Sequence, residues 1–122
     1  MQPRVLLLLA LPLLIPVSHM TAQQPSCLHG TGESDAQRAR TRQALVMARH
    51  INTLENAAFQ GNGAYRPVDQ LTGVSRTPDG FEVHAAIEPR SYVFAIKDIT
   101  DPCGFAYFSD ESGLIYSGEV IR

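Results

Sequence analysis

Apolar residues recur along this chain in three different rhythms. From Val5 to Val17 they run without a charge, VLLLLALPLLIPV. From Asp35 to about Gln60 they return every three or four residues: Met47, Ile51, Leu54 and Ala58 form one stripe, widened by Ala44, Ala48 and Phe59. From Phe81 onward they alternate with polar residues, the period of a half-buried strand.

The first rhythm predicts a targeting segment. A membrane-spanning helix needs about 20 apolar residues, and Pro12 and Pro16 interrupt this shorter run. Arg4 precedes it and a small, polar stretch follows, the layout of a secretory signal peptide with an exit near Ala22. The expected organisation is a signal peptide over residues 1–22, a polar linker over 23–32 and one domain over 33–122. No stable membrane span is expected after processing.

The second rhythm predicts a long helix at the N-terminal end of that domain. Ser34 is placed to cap it, with Gln37 three residues on. Gly61-Asn62-Gly63 ends it, because glycine takes the left-handed cap without a steric penalty. Arg38, Arg40, Arg42, Arg49, Asn52 and Glu55 form most of its polar side. A connector follows, with one short turn between Tyr65 and Leu71 and a turn signal at Thr77-Pro78-Asp79-Gly80.

The third rhythm predicts strands over Phe81–Glu88, Ser91–Ile99, Gly104–Phe108 and Leu114–Tyr116, divided at Pro89-Arg90, Asp101-Pro102 and Asp110-Glu111-Ser112-Gly113. The order is one helix and then a meander of three or four antiparallel strands. The helix and a one-sided sheet bury each other's apolar faces in a two-layer α+β domain.

Charge narrows the function classes. The chain carries −2 at pH 7, and loss of Arg4 leaves nine basic against twelve acidic residues. That balance argues against nucleic acid, which calls for a basic face. Two cysteines, Cys27 and Cys103, favour a disulfide in an exported chain. It would close a loop over most of the domain and stabilise it by roughly 4 kcal/mol.

No catalytic constellation emerges. His29, His50 and His84 lack metal-ligand spacing and read as structural or surface residues. No serine sits in a nucleophile elbow. Gly61-Asn62-Gly63 ends a helix, the wrong dipole end for a phosphate. Glu82 and Glu88 stand roughly 20 Å apart along a strand, too far for paired acid–base work. Asp98, Asp101, Asp110 and Glu111 cluster around the Cys103 loop and the last hairpin. They are candidates for calcium or, more simply, ordinary turn acids.

Two surfaces are candidates for protein contact. Arg38, Arg42 and Arg49 give the helix a basic side, suited to an acidic partner or simply solvated. Tyr92, Tyr107 and Tyr116 belong either to the sheet face opposite the helix or to the core.

The helix segment Ala48–Phe59, the run Gly63-Ala64-Tyr65 followed by Leu71, and the closing segment from Cys103-Gly104-Phe105 to Asp110-Glu111-Ser112-Gly113-Leu114-Ile115 are similar to the globular part of type IV pilins and of type II secretion pseudopilins. The resemblance covers about residues 44–117. It implies a pilin-like α+β fold, contact with other proteins in secretion or surface assembly, and calcium near the C-terminal loop, as some pseudopilins bind there. Pilins keep their apolar segment as the first half of the long helix, cut after a Gly and carrying an early Glu. Here the apolar run has neither and is set apart by the linker, which favours a secreted, non-enzymatic pilin-like domain. The alternatives are a pilin or pseudopilin subunit retained in the membrane, and a small secreted binding or inhibitory module of cystatin-like plan.

Overall fold

The computed structural model describes residues 26–119. The Val5–Val17 run, the exit near Ala22 and the start of the linker lie outside the described residues. The described part contains α1 (Asp35–Asn62), a single 3₁₀ turn (Val68–Gln70), β1 (Phe81–Glu88), β2 (Ser91–Asp98), β3 (Ala106–Asp110) and β4 (Ile115–Gly118). The four strands form one antiparallel sheet in the order β1-β2-β3-β4. The α+β meander is therefore the one expected. The long helix, expected at the N-terminal end, instead occupies the middle of the chain, with the Ser26–Ser34 segment before it.

Local chemistry accounts for the boundaries. The Ser34 side chain accepts the Gln37 N–H at 3.1 Å, satisfying one of the helix's first orphan donors. Gly63 takes φ 72° and donates its N–H to the Phe59 carbonyl, so α1 runs two residues past Gln60. Gly80 is required where the connector enters β1. Its φ is 80°, and a Cβ there would lie 2.9 Å from both Arg40 Nη1 and Thr100 Cγ2.

Strand alternation sets the two faces of the sheet. Phe81, Tyr92, Phe94 and Ile96 turn toward α1 and meet Ala44, Met47, Ala48 and Ile51 in the core. Tyr65, Val68, Leu71 and Val74 of the connector close its margin. Tyr65 stands edge-on to Tyr92 at 4.8 Å and stacks on Phe59 at 4.7 Å.

The buried side of α1 differs from the expected stripe. Leu54 and Ala58 are only half-buried, while Glu55, assigned above to the polar side, is fully buried. At 3.6 residues per turn the line Ala44, Ala48, Ile51, Glu55 follows the sheet, and it reaches the carboxylate on its fourth turn. The Arg66 N–H donates to Glu55 Oε2 at 2.9 Å, and Oε1 has no partner among the described residues.

Burial raises the Glu55 pKa, against the smaller lowering effect of the Arg66 N–H. A carboxyl raised on folding binds its proton more tightly in the native state. Its contribution to stability is therefore complete below the unfolded pKa of about 4 and is lost as pH rises through the folded value. Glu55→Gln keeps an acceptor for Arg66 without the charge. Wild type is expected to lose stability relative to this variant as pH is raised from about 4 to about 8. Urea unfolding across that range checks it, and parallel curves would contradict it.

Candidate functional site

The segment before α1 is fastened to the β2–β3 loop by several bonds. Cys27 and Cys103 form a disulfide with Cα atoms 5.2 Å apart. The next residue, Leu28, donates its N–H to Asp101 Oδ1 at 2.9 Å. Then comes His29, whose ring lies flat on Phe105 with centroids 3.8 Å apart.

His29 Nε2 lies 2.9 Å from Asp98 Oδ2. An ionised carboxylate only accepts, so Nε2 is the donor. The same oxygen accepts from Gln37 Nε2 at 3.0 Å and Arg40 Nη2 at 2.8 Å. Oδ1 accepts from the Thr100 N–H at 3.0 Å and its hydroxyl at 2.6 Å. On the far side of the imidazole, Nδ1 faces Thr41 Oγ1 at 3.3 Å and Glu33 Oε1 at 3.4 Å. Both ring nitrogens are thus engaged, and the side chain is 5% exposed. The residue types suggest an acid–base pair, but with Nε2 spent on Asp98 and Nδ1 faced by Thr41 and Glu33 the geometry is that of a strut.

Electrostatics agree with that role. Burial alone would raise the Asp98 pKa, but bonds from Thr100, His29 and Gln37 outweigh it and hold the carboxyl at about 2. Asp101 is lowered in the same way: burial opposes, and N–H groups of Leu28, Phe105 and Cys103 together with the nearby His29 prevail. Arg40 also lies 5.2 Å from the centroid of the Phe81 ring, so one guanidinium joins the charge network to the core.

The four acids proposed for calcium are not gathered into a ligand set. Asp98 and Asp101 face donors, which a cation would have to displace. Asp110 accepts the Ser112 N–H and hydroxyl within the β3–β4 turn, which lowers its pKa. Glu111 is exposed beside it. Among the described residues, the one group of three with converging ligand atoms is Cys27, Cys103 and Glu119, and its two sulfurs are committed to the disulfide.

The tyrosines divide between the two faces. Tyr92 is 4% exposed, faces α1 and donates its hydroxyl to Asn52 Oδ1 at 2.9 Å. Burial, followed by the charges of Tyr65 and Glu55, pushes its pKa up to about 12. Tyr107 packs against the core from β3. The outer-face placement entertained for these two is thereby corrected: both sit at helix-facing register positions, Tyr92 opposite Ile87 and Tyr107 opposite Ile96 and Ser117. Tyr116 is on the outer face, opposite Phe108.

That pair is the centre of an apolar patch. Phe108 and Tyr116 stack at 5.8 Å and 21° while remaining 41% and 48% exposed. Ala95 stands opposite Phe108 on β2, and Val93, 51% exposed, is two residues from it. Gly118 leaves room for the Phe108 ring, which a Cβ there would meet at 3.3 Å. The border is of mixed charge: Glu82, His84 and Glu88 face the same way from β1, with Lys97 on β2 and Asp110 on β3. Sequence reasoning found Tyr116 but missed Phe108 and Val93. The alternation of β3 carries the signal, since Phe108 stands out of phase with the inward Tyr107 and Ser109.

The three arginines are exposed on α1, and the charge of Arg49 reaches Tyr107 on β3. Arg38 is paired with Asp35 at 2.9 Å and donates to the Glu33 carbonyl. Arg42 and Arg49 are exposed without an ion pair among the described residues. Among the described residues no helix is long and apolar enough to cross a membrane. No family model matches the chain, and no curated protein or solved structure matches it.

Proposed function

We propose that this chain is an exported, non-enzymatic domain that works by protein contact through the outer face of its sheet. The observation that carries the reading is the stacked, solvent-facing Phe108–Tyr116 pair with Val93 beside it. Folding leaves these side chains unused by the core, and exposed aromatic clusters with a polar rim are characteristic of contact surfaces. A disulfide between Cys27 and Cys103 is in keeping with an oxidising compartment, and the apolar Val5–Val17 run supplies a route of export. Secretion or surface assembly is the context drawn from the pilin-like segments.

The comparison that tests this uses immobilised wild type and the double variant Phe108→Ser/Tyr116→Ser, each exposed to the extracytoplasmic fraction of the host. Both positions are exposed, so the variant is expected to stay folded within about 1 kcal/mol of wild type. A specific protein partner should be retained by wild type and depleted at least about tenfold on the variant, the loss of two central aromatic anchors. Equal retention on both would overturn the assignment of the outer face.

A further inference from the structure

A second concave surface lies away from the outer sheet face, between α1 and the loop that leads into β1. It is an open groove of about 690 Å³, lined on the helix side by Ala39, Arg42, Gln43 and Val46, and on the loop side by residues 75–79. That volume falls within the range of small-molecule sites.

Three features make the groove selective. Arg42 on one wall and Arg76 on the other have no ion pair or hydrogen bond from their side chains among the described residues, whereas Arg38 and Arg40 are both committed elsewhere. Asp79 is the one acid in the lining, so the groove holds a surplus positive charge on a chain whose formal charge is −2. Beside these polar groups lies an apolar strip of Ala39, half-buried, and Val46, 42% exposed.

We propose that this groove binds a small amphiphilic organic anion, with its acidic head between Arg42 and Arg76 and its apolar chain along Ala39 and Val46. Two guanidinium groups favour a planar, oxygen-bearing head, because each offers a fork of donors that matches it. The apolar strip selects for a short hydrocarbon over a free inorganic anion.

The test is a titration of the full chain followed by amide NMR, with octanoate, octylammonium and inorganic phosphate as separate probes. Octanoate should give saturable shifts at Val46 and at Ser75, Arg76 and Thr77. Octylammonium should leave these amides unmoved, and phosphate should bind more weakly than octanoate. Arg42→Ser/Arg76→Ser changes two exposed side chains and should keep the spectrum of the folded domain while weakening octanoate about tenfold or more. Absent saturation at these amides, equal shifts from octylammonium, or undiminished binding to the variant would each overturn the proposal.

Discussion

Replacing Cys27 and Cys103 together by alanine is expected to lower unfolding stability by roughly 4 kcal/mol. The bridge joins residues 76 apart, so it removes much of the freedom of the unfolded chain. It also holds the short segment whose Leu28 N–H and His29 ring reach Asp101 and Asp98. Against a total of about 5–15 kcal/mol for an ordinary domain, the loss is severe. Denaturant unfolding of oxidised wild type and the double variant measures it. The same experiment with His29→Ala, leaving the bridge intact, separates the covalent contribution from that of the strut. A difference below about 1 kcal/mol for the double variant would mean that the bridge does little to hold the start of the domain.

The second large effect is expected at Asp98. Its carboxylate is fully buried and accepts from His29, Gln37, Arg40 and Thr100, so removing it strands several buried donors at once. Asp98→Ala is expected to cost about 3–5 kcal/mol, the usual penalty for breaking a buried charge network from one side. The pH dependence follows from its lowered pKa of about 2. A group lowered on folding contributes fully above its unfolded value near 4, and the contribution is lost as pH falls through the folded value. Asp98→Asn removes the titration while nearly keeping the shape. Wild type should exceed it fully above about pH 5, and the gap should close by roughly 2–3 kcal/mol as pH falls toward 2. A gap that stays constant over that range would show that the ionised carboxylate is not the centre of the network.

Much of the fold was legible because local signals are self-contained. The Ser34 cap, the Gly63 stop and the turns at 77–80, 89–90 and 110–113 each depend on a few adjacent residues, and all of them fall where the structure turns. Strand ends moved by one or two residues: β3 begins at Ala106, and Gly104 and Phe105 remain in the loop. The pairing of Cys27 with Cys103 needed only a count of two cysteines.

The burial of charge was not legible, because it depends on partners far along the chain. Asp98 reads as a turn acid until His29, Gln37 and Arg40 arrive from residues 58 to 69 positions earlier. Glu55 reads as solvated because the apolar stripe was drawn through Leu54. The sheet chose a line one residue over. The tyrosines were ambiguous for a third reason. β2 carries apolar residues on both faces, Tyr92, Phe94 and Ile96 on one and Val93 and Ala95 on the other, so alternation separates the faces without saying which one the helix covers. The register through the β2–β3 and β3–β4 hairpins decides it, placing Tyr107 inward and Phe108 and Tyr116 outward.

The most direct test of contact through the outer face is residue-specific photo-crosslinking in the native host. A benzophenone side chain introduced at Tyr116 or Val93 reports on the outer face, and one at Arg49 reports on the exposed surface of α1. One discrete protein adduct is expected from Tyr116 and Val93, none from Arg49, and loss of the Val93 adduct when Phe108→Ser is added. An adduct from Arg49 with none from Tyr116 or Val93 would contradict it and move the contact surface to the helix.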